Sequence, residues 1–286
     1  MKPKIGLVLE GGAMRGLYTA GVLDTFMENN IEVDSIIGVS AGALFGANYF
    51  SKQKGRAIRY NKKYCKDKRY ISFNSLVKTG NIVNKDFAYY KITNELDPFD
   101  DETFKNTNKD YFVVITNVNN GEAEYVNIKS STIDNLEVLR ATSAMPLVSK
   151  MVQINDNKYL DGAISDSIPY EKFKELGYEK IIVVLTQHFE YRKKPYSKIA
   201  KFFISFKYRK YPHLKDKIIN RYKIYNEKLE KINELQKSED IYVIRPSKKL
   251  AISRLEKDEN KLQNVYDLGK EDCKNNLDKL YDFLQK

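Results

Sequence analysis

The stretch Ile36-Ile37-Gly38-Val39-Ser40-Ala41-Gly42-Ala43-Leu44 constrains this chain more than any other. Its apolar start reads as a buried strand, and the small residues from Ala41 onward open a helix running to Phe50. Ser40 therefore falls on a tight strand-to-helix turn. Side chains at positions 38 and 42 would collide as strand and helix close on each other, which explains Gly38 and Gly42. The turn lifts the Ser40 hydroxyl toward solvent at a helix N-terminus, where free N–H groups and the helix dipole favour developing negative charge. Gly-x-Ser-x-Gly in this setting has the form of a nucleophile elbow. The five residues alone are a weak signal, and their weight comes from what surrounds them.

Upstream, residues 5–9 predict a first buried strand, followed by Glu10-Gly11-Gly12-Ala13-Met14-Arg15-Gly16. A helix follows over residues 17–29, with Leu17, Ala20, Leu23 and Met27 at helical spacing. Residues 34–39 form the second strand. Strand, glycine turn, helix, strand, turn and helix in this order build a parallel sheet with helical crossovers. Further strands are expected over 111–116, over 122–128 as a hairpin through Asn119-Asn120-Gly121, and over 180–185. A short helix is expected over 133–142. Beyond residue 190 the texture changes. Pro195 and Pro212 bracket a basic aromatic segment. A long amphipathic helix then carries Ile218, Tyr222, Tyr225, Leu229, Ile232 and Leu235, a strand over 241–246 joins an edge of the same sheet, and one final helix spans about 256–284.

With 286 residues, the chain can hold one large domain or two smaller ones, each with a real core. Cys65 and Cys273 provide no disulfide framework, which points to a reducing compartment. Met1-Lys2-Pro3-Lys4 runs directly into the first strand, and no stretch reaches the ~18 apolar residues of a membrane span. The expected location is the cytoplasm, with peripheral contact at the inner face of the membrane. The net charge of +11 is local in origin: residues 51–70 carry nine Lys/Arg against one Asp, and residues 190–223 carry twelve against one Glu and one Asp. Such segments face an anionic surface or ligand, or are simply solvated lysine-rich faces.

Acyl transfer needs a nucleophile, a base and donors for an oxyanion. Gly11 and Gly12 suit the last of these, because glycine lets neighbouring backbone N–H groups converge on one point with no Cβ in the way. Arg15 is expected to cap the next helix and hold the loop in shape. A dinucleotide-binding loop would need glycine where Ala13 stands, and no Gly-Lys-Ser/Thr follows for a P-loop. The base is open at this level. His213 lies in a basic Tyr-Pro-His turn. His188 follows a buried strand and fits a Ser, Asp, His order. Asp161 in Leu160-Asp161-Gly162-Ala163 comes off a short apolar run, with Gly162 allowing a sharp turn that aims the carboxylate inward.

Taken together, Gly11-Gly12-Ala13-Met14-Arg15-Gly16, Gly38-Val39-Ser40-Ala41-Gly42 and Asp161-Gly162-Ala163 resemble the three ordered signatures of the patatin-like phospholipase family. Ala141-Thr142-Ser143-Ala144-Met145-Pro146 also resembles a family block. The resemblance spans roughly residues 5–190 and implies an α/β fold, a three-layer sandwich with a mainly parallel central sheet. It implies a Ser-Asp dyad without histidine: Ser40 the nucleophile, Asp161 the base, and an oxyanion hole from Gly11 and Gly12 with Ala41 from the elbow. Ala13 departs from the pattern, because many members carry a third glycine there. The expected organisation is a catalytic domain over 1–189 and a basic, mostly helical region over 190–286 packed on it.

The expected activity is cleavage of a fatty-acyl ester or phospholipid through an acyl-enzyme. No cofactor and no metal are expected. Ile199, Phe202, Phe203 and Phe206 fall on one helical face with Lys198, Lys201, Lys207, Arg209 and Lys210 around it, a pattern that fits residues 190–223 to an anionic membrane. A helix packed on the domain is the plain alternative. A nucleic-acid binder would use the same charge but leaves the three glycine-rich signatures unexplained. An idle scaffold that keeps the fold and binds lipid or a partner is the other rival.

Overall fold

The computed structural model describes residues 3–285. Unbroken runs of Val, Ile and Leu are what strands buried on both faces require. Eight strands make one sheet: β1 (Ile5–Leu9), β2 (Ser35–Val39), β3 (Asp110–Asn117), β4 (Ala123–Asn127), β5 (Val152–Ile154), β6 (Asn157–Asp161), β7 (Lys180–Val184) and β8 (Tyr242–Ile244). The order is β5-β6-β3-β2-β1-β7-β8, with β4 also on β3. The pairs β1–β2, β2–β3, β1–β7 and β7–β8 are parallel, and β3–β4, β3–β6 and β5–β6 are antiparallel.

Among the described residues eleven α-helices accompany it: α1 (Leu17–Glu28), α2 (Ala41–Phe50), α3 (Arg56–Tyr64), α4 (Phe73–Thr79), α5 (Asp101–Asn106), α6 (Ile133–Thr142), α7 (Tyr170–Glu175), α8 (Lys198–Lys207), α9 (Pro212–Lys237), α10 (Glu259–Lys274) and α11 (Leu277–Gln285). A π-helical stretch spans Asp86–Leu96. Strand side chains alternate between two cores. Leu7, Leu9, Ile36, Val113, Ile182 and Val184 join the core shared with α1, α2 and α10. Val8, Ile37, Val39, Val114, Ile181 and Val183 join the other, beneath α7 and α9. Helices on both faces make the expected three-layer α/β sandwich.

Register along β3 brings two distant segments head to head. Residues 112–114 of β3 pair with both β2 and β4, and residues 115–116 pair with both β4 and β6. A strand has two edges, so β2 and β6 must share one of them. β2 ends at Val39, opposite Val114, and β6 ends at Asp161, opposite Ile115. The residue after β2 and the last residue of β6 are thereby delivered to one point of the sheet.

Two expectations on elements change. The last helix is two, α10 and α11, broken at Asn275-Asn276. The basic stretch 51–70 is not merely a solvated face: in α3, the buried Arg56 donates to the Asp97 carbonyl and to Asn48 Oδ1 and pairs with the Asp97 carboxylate at 3.4 Å. The strand expected over 241–246 is present as β8, beside β7. Packing of α10 on α1 is close enough to exclude side chains. A Cβ on Gly21 would lie 2.1 Å from the Tyr266 carbonyl oxygen, and one on Gly269 would lie 2.1 Å from that of Tyr18.

Candidate active site

Ser40 sits between β2 and α2 with φ 52° and ψ −124°, a conformation that L-residues rarely adopt. Its N–H donates to Thr142 Oγ1 at 2.9 Å, which braces the turn from α6. The turn is compact because α2 approaches β1 at Gly42, where a Cβ would meet the Leu9 carbonyl oxygen at 2.4 Å. Ser40 is only 9% exposed. Sequence reasoning put its hydroxyl toward open solvent; instead it lies on the floor of a cavity, because residues from the 56–104 and 190–255 segments wall it in.

Asp161 closes β6. Its N–H donates to the Ala144 carbonyl at 3.0 Å, its carbonyl accepts from the Thr116 hydroxyl at 2.8 Å, and its Oδ1 accepts the Ala163 N–H at 2.9 Å. The block Ala141–Pro146 thus acts as a brace on both residues, with Thr142 holding the elbow and Ala144 holding the aspartate. Burial pushes the Asp161 carboxyl above its usual range. The Arg221 guanidinium, the Ala163 N–H, a hydrogen bond with the Ser40 side chain and the Lys193 ammonium act in the opposite direction.

Gly11 lies against the serine, where a Cβ would come within 2.8 Å of Ser40 Cβ. The loop continues through Ala13, which takes a left-handed φ of 51°. Among the described residues, the Gly11 and Gly12 N–H groups have no protein acceptor, and the first N–H groups of α2, beginning at Ala41, are free of intrahelical partners by position. Arg15 does not cap α1: its Nε is buried without a hydrogen-bond partner among the described residues, and the side chain lines the cavity. Gly38 and Gly162 remain packing positions, with a Cβ on Gly162 placed 2.1 Å from the Val114 carbonyl oxygen.

Two cavities meet at Ser40. One, of about 130 Å³, is mostly apolar, with Leu44, Phe45, Ile92, Phe104, Leu136 and Leu139 among its walls. The other, of about 250 Å³, is the more polar of the two and contains Gly11, Gly12, Ser40 and Asp161 together with Arg15, Lys193, Arg221 and Arg254, the last shared with the first cavity. His188 lines neither and rests edge-on against Tyr191. His213 is exposed at the start of α9. No cluster of metal-ligating side chains exists among the described residues.

Sequence reasoning missed Glu10, Tyr225 and the cationic wall. Glu10 accepts from the Thr186 N–H at 2.7 Å and from the Tyr225 hydroxyl at 2.6 Å, tying the glycine loop to β7 and α9. The sequence signal for Lys193 and Arg221 is the lysine and arginine enrichment of residues 190–223, Arg15 belongs to the glycine-loop signature, and nothing local marks Arg254.

A family model described as patatin-like phospholipase matches residues 7–174, and a domain of unknown function (DUF6363) matches residues 211–285. The uncharacterized protein YjjU of Escherichia coli (strain K12) is 29% identical over 189 residues, which cover 64% of this chain and 52% of YjjU. Lysophospholipase NTE1 of Scheffersomyces stipitis is 27% identical over 195 residues, covering 63% of this chain and 11% of NTE1. The match therefore spans about half of the one relative and about a tenth of the other. Among solved structures, VipD from Legionella pneumophila aligns with a TM-score of 0.45 at 11% identity, over 98% of this chain and 67% of that one. With more than half of its length under one family model and the three glycine-rich signatures gathered at one cavity, the chain belongs to the patatin-like phospholipase family.

Proposed function

We propose that the chain is a serine acyl-ester hydrolase of the phospholipase A, lysophospholipase or esterase type. The observation that carries this reading is the meeting of Ser40, in its constrained turn, with the buried Asp161 carboxyl on one cavity wall. Ser40 Oγ attacks the acyl carbonyl while Asp161 takes its proton. The oxyanion accepts N–H bonds from Gly11, Gly12 and Ala41, and the α2 dipole favours the same charge. Collapse of the tetrahedral intermediate expels the alcohol, which regains the proton from Asp161. Water, deprotonated by the same carboxylate, then attacks the acyl-enzyme and releases the fatty acid, and Asp161 returns the proton to Ser40 Oγ. An aspartate with a reference pKa of ~3.9 is a weak base in water, and burial of Asp161 raises its basicity. The apolar cavity at Ser40 accommodates the acyl chain.

Labelling with a fluorophosphonate probe, alongside ester turnover, tests the assignment. The intact protein is expected to label and Ser40→Ala not to. Asp161→Asn should lower kcat/KM by about 10²–10⁴-fold, and His188→Ala should leave most activity. Loss of activity in His188→Ala with retention in Asp161→Asn would replace the dyad by a histidine triad. Absence of labelling and turnover in the intact protein would favour the idle scaffold. The acidic limb of the pH profile should lie above the ordinary carboxylate range, because Asp161 must be ionised to accept a proton.

The reading extends to α8. Ile199, Phe202, Phe203 and Phe206 are all more than half exposed, while Ile204 anchors the helix from its buried side. Lys207 donates to the Ser149 carbonyl, and the Tyr208 hydroxyl accepts the Leu147 N–H. These bonds set α8 beside the 145–148 loop that walls the polar cavity. An anionic lipid surface matches both the apolar face and the surrounding lysines.

A further inference from the structure

The polar cavity holds more positive charge than a serine hydrolase mechanism uses. Arg15, Lys193, Arg221 and Arg254 line it, against only two acidic groups, Glu10 and Asp161. Glu10 is already engaged by Thr186 and Tyr225. None of the four cationic side chains has a protein hydrogen-bond acceptor or ion-pair partner among the described residues, and the Nε atoms of Arg15 and Arg221 are buried without one. Lys193 is held by its backbone and an aromatic ring, not by an anionic partner. Its N–H donates to Asn226 Oδ1 at 2.8 Å, its carbonyl accepts from Asn226 Nδ2 at 3.0 Å, and its ammonium lies 4.1 Å from the centre of the Tyr225 ring. Arg254 is positioned by its carbonyl, which accepts the Met14 N–H from the glycine loop at 3.3 Å.

A guanidinium nitrogen buried without an acceptor is costly, as at Arg15 and Arg221, and a bound anion would satisfy both. The wall is also mutually repulsive. Burial first, then Arg221, with Arg254 and Arg15 adding, pushes the Lys193 ammonium well below its ordinary pKa, and Glu10 only partly opposes this. Planar guanidinium forks match phosphate oxygens in pairs, and an ammonium adds a point charge. A carboxylate would satisfy one such fork but not three arginines and a lysine. The position is equally informative, since the cationic and apolar cavities adjoin at Ser40, with Ala13, Met145 and Arg254 at their common boundary. An ester straddling the nucleophile places its acyl chain in one and its alcohol portion in the other.

Building on the ester-hydrolase reading, we propose that Arg15, Lys193, Arg221 and Arg254 form a receptor for a phosphate group on the alcohol portion of the substrate, so that the preferred substrates are acylglycerol phosphates with a terminal phosphomonoester. A choline-bearing diester brings a positive group toward the cationic wall, and a neutral monoacylglycerol leaves the wall unsatisfied. Both are poorer substrates. Lys193 and Arg221 lie beyond the segment matched by the patatin-like model, and Arg221 and Arg254 fall within residues 211–285. The C-terminal segment is thus the part of the chain that sets head-group selectivity.

The test compares kcat/KM for 1-oleoylglycerol 3-phosphate, 1-oleoylglycerophosphocholine and 1-oleoylglycerol in the intact protein, Arg221→Gln, Lys193→Gln and Arg254→Gln. Ratios between substrates are the readout, because Arg221 and Lys193 also act on Asp161 and would alter all rates together. The phosphomonoester is expected to lead by at least tenfold, and each substitution to reduce that lead several-fold. Arg254 is exposed, so its variant keeps the experiment informative if a buried variant fails to fold. A second arm needs no turnover: glycerol 3-phosphate titrated into Ser40→Ala should raise Tm saturably, beyond sodium chloride at equal ionic strength, and more than inorganic phosphate does. Equal kcat/KM for neutral and phosphorylated lipids, or no saturable glycerol 3-phosphate effect, would overturn the proposal. Inorganic phosphate binding as strongly as glycerol 3-phosphate, with no lipid preference, would assign the pocket to free anions and overturn it too. Binding of glycerol 3-phosphate without turnover of any ester would instead strike the hydrolase reading alone.

Discussion

At the scale of single residues, the site is built against local preference. Ser40 and Ala13 both hold a positive φ, near 52° and 51°, without being glycine. Such conformations cost about 1–3 kcal/mol each and persist only where the surroundings fix them, as Thr142 and the packing at Gly42 do for Ser40. Replacing Ser40 by alanine removes the nucleophile and keeps the strain. Replacing it by glycine removes both, less the ~0.5–1 kcal/mol of backbone entropy that glycine forfeits. Both variants should be inactive, and Ser40→Gly should exceed Ser40→Ala in stability by about 1 kcal/mol, roughly 2 °C in Tm. Equal melting temperatures would mean that the elbow is relaxed. Ser40 is legible as a candidate because its local pattern restricts the backbone around it, whereas the local pattern at Asp161 leaves the base open beside His188 and only the family resemblance points to the aspartate. Arg221, Lys193 and Arg254 could not be assigned a place, because nothing local says which distant loop a lysine or arginine will face.

Elements follow the same division. β1, β2, β3 and β7 are legible because strands buried on both faces need unbroken apolar runs, and α9 because its apolar stripe repeats every three to four residues. The break between α10 and α11 is not, since the apolar spacing continues across Asn275-Asn276. For α8 the periodicity was plain but its meaning was not: an apolar stripe normally marks the side a helix buries, and here that stripe faces out. The proposed membrane docking would give this face an occupant, and co-sedimentation with vesicles tests it. Binding should rise with anionic lipid, fall with salt, and drop at least tenfold in Phe202→Ser/Phe206→Ser. Binding that ignores lipid charge and salt, or that survives the double substitution, would leave α8 without a membrane role.

For the whole molecule, the question is whether residues 1–189 and 190–286 are separable. Three features join them, and none can be satisfied by either part alone. β8 takes the outer edge of β7 and extends the sheet. α10 closes onto α1 at Gly21 and Gly269, where backbones meet without side chains between them. The Tyr225 hydroxyl from α9 reaches the buried Glu10 at the glycine loop. Removing the C-terminal part would uncover the face that carries Val8, Val183 and Leu185 beneath α9, and it would free the β7 edge, a template for aggregation. The intact chain should therefore unfold in one calorimetric transition with equal calorimetric and van't Hoff enthalpies, and a fragment of residues 1–189 should be insoluble. Two resolved transitions, or a soluble fragment with a native far-UV spectrum, would show that the first part folds by itself. In that case the cationic wall would be an attachment to a finished hydrolase, whereas a single transition would make head-group recognition and folding depend on the same contacts.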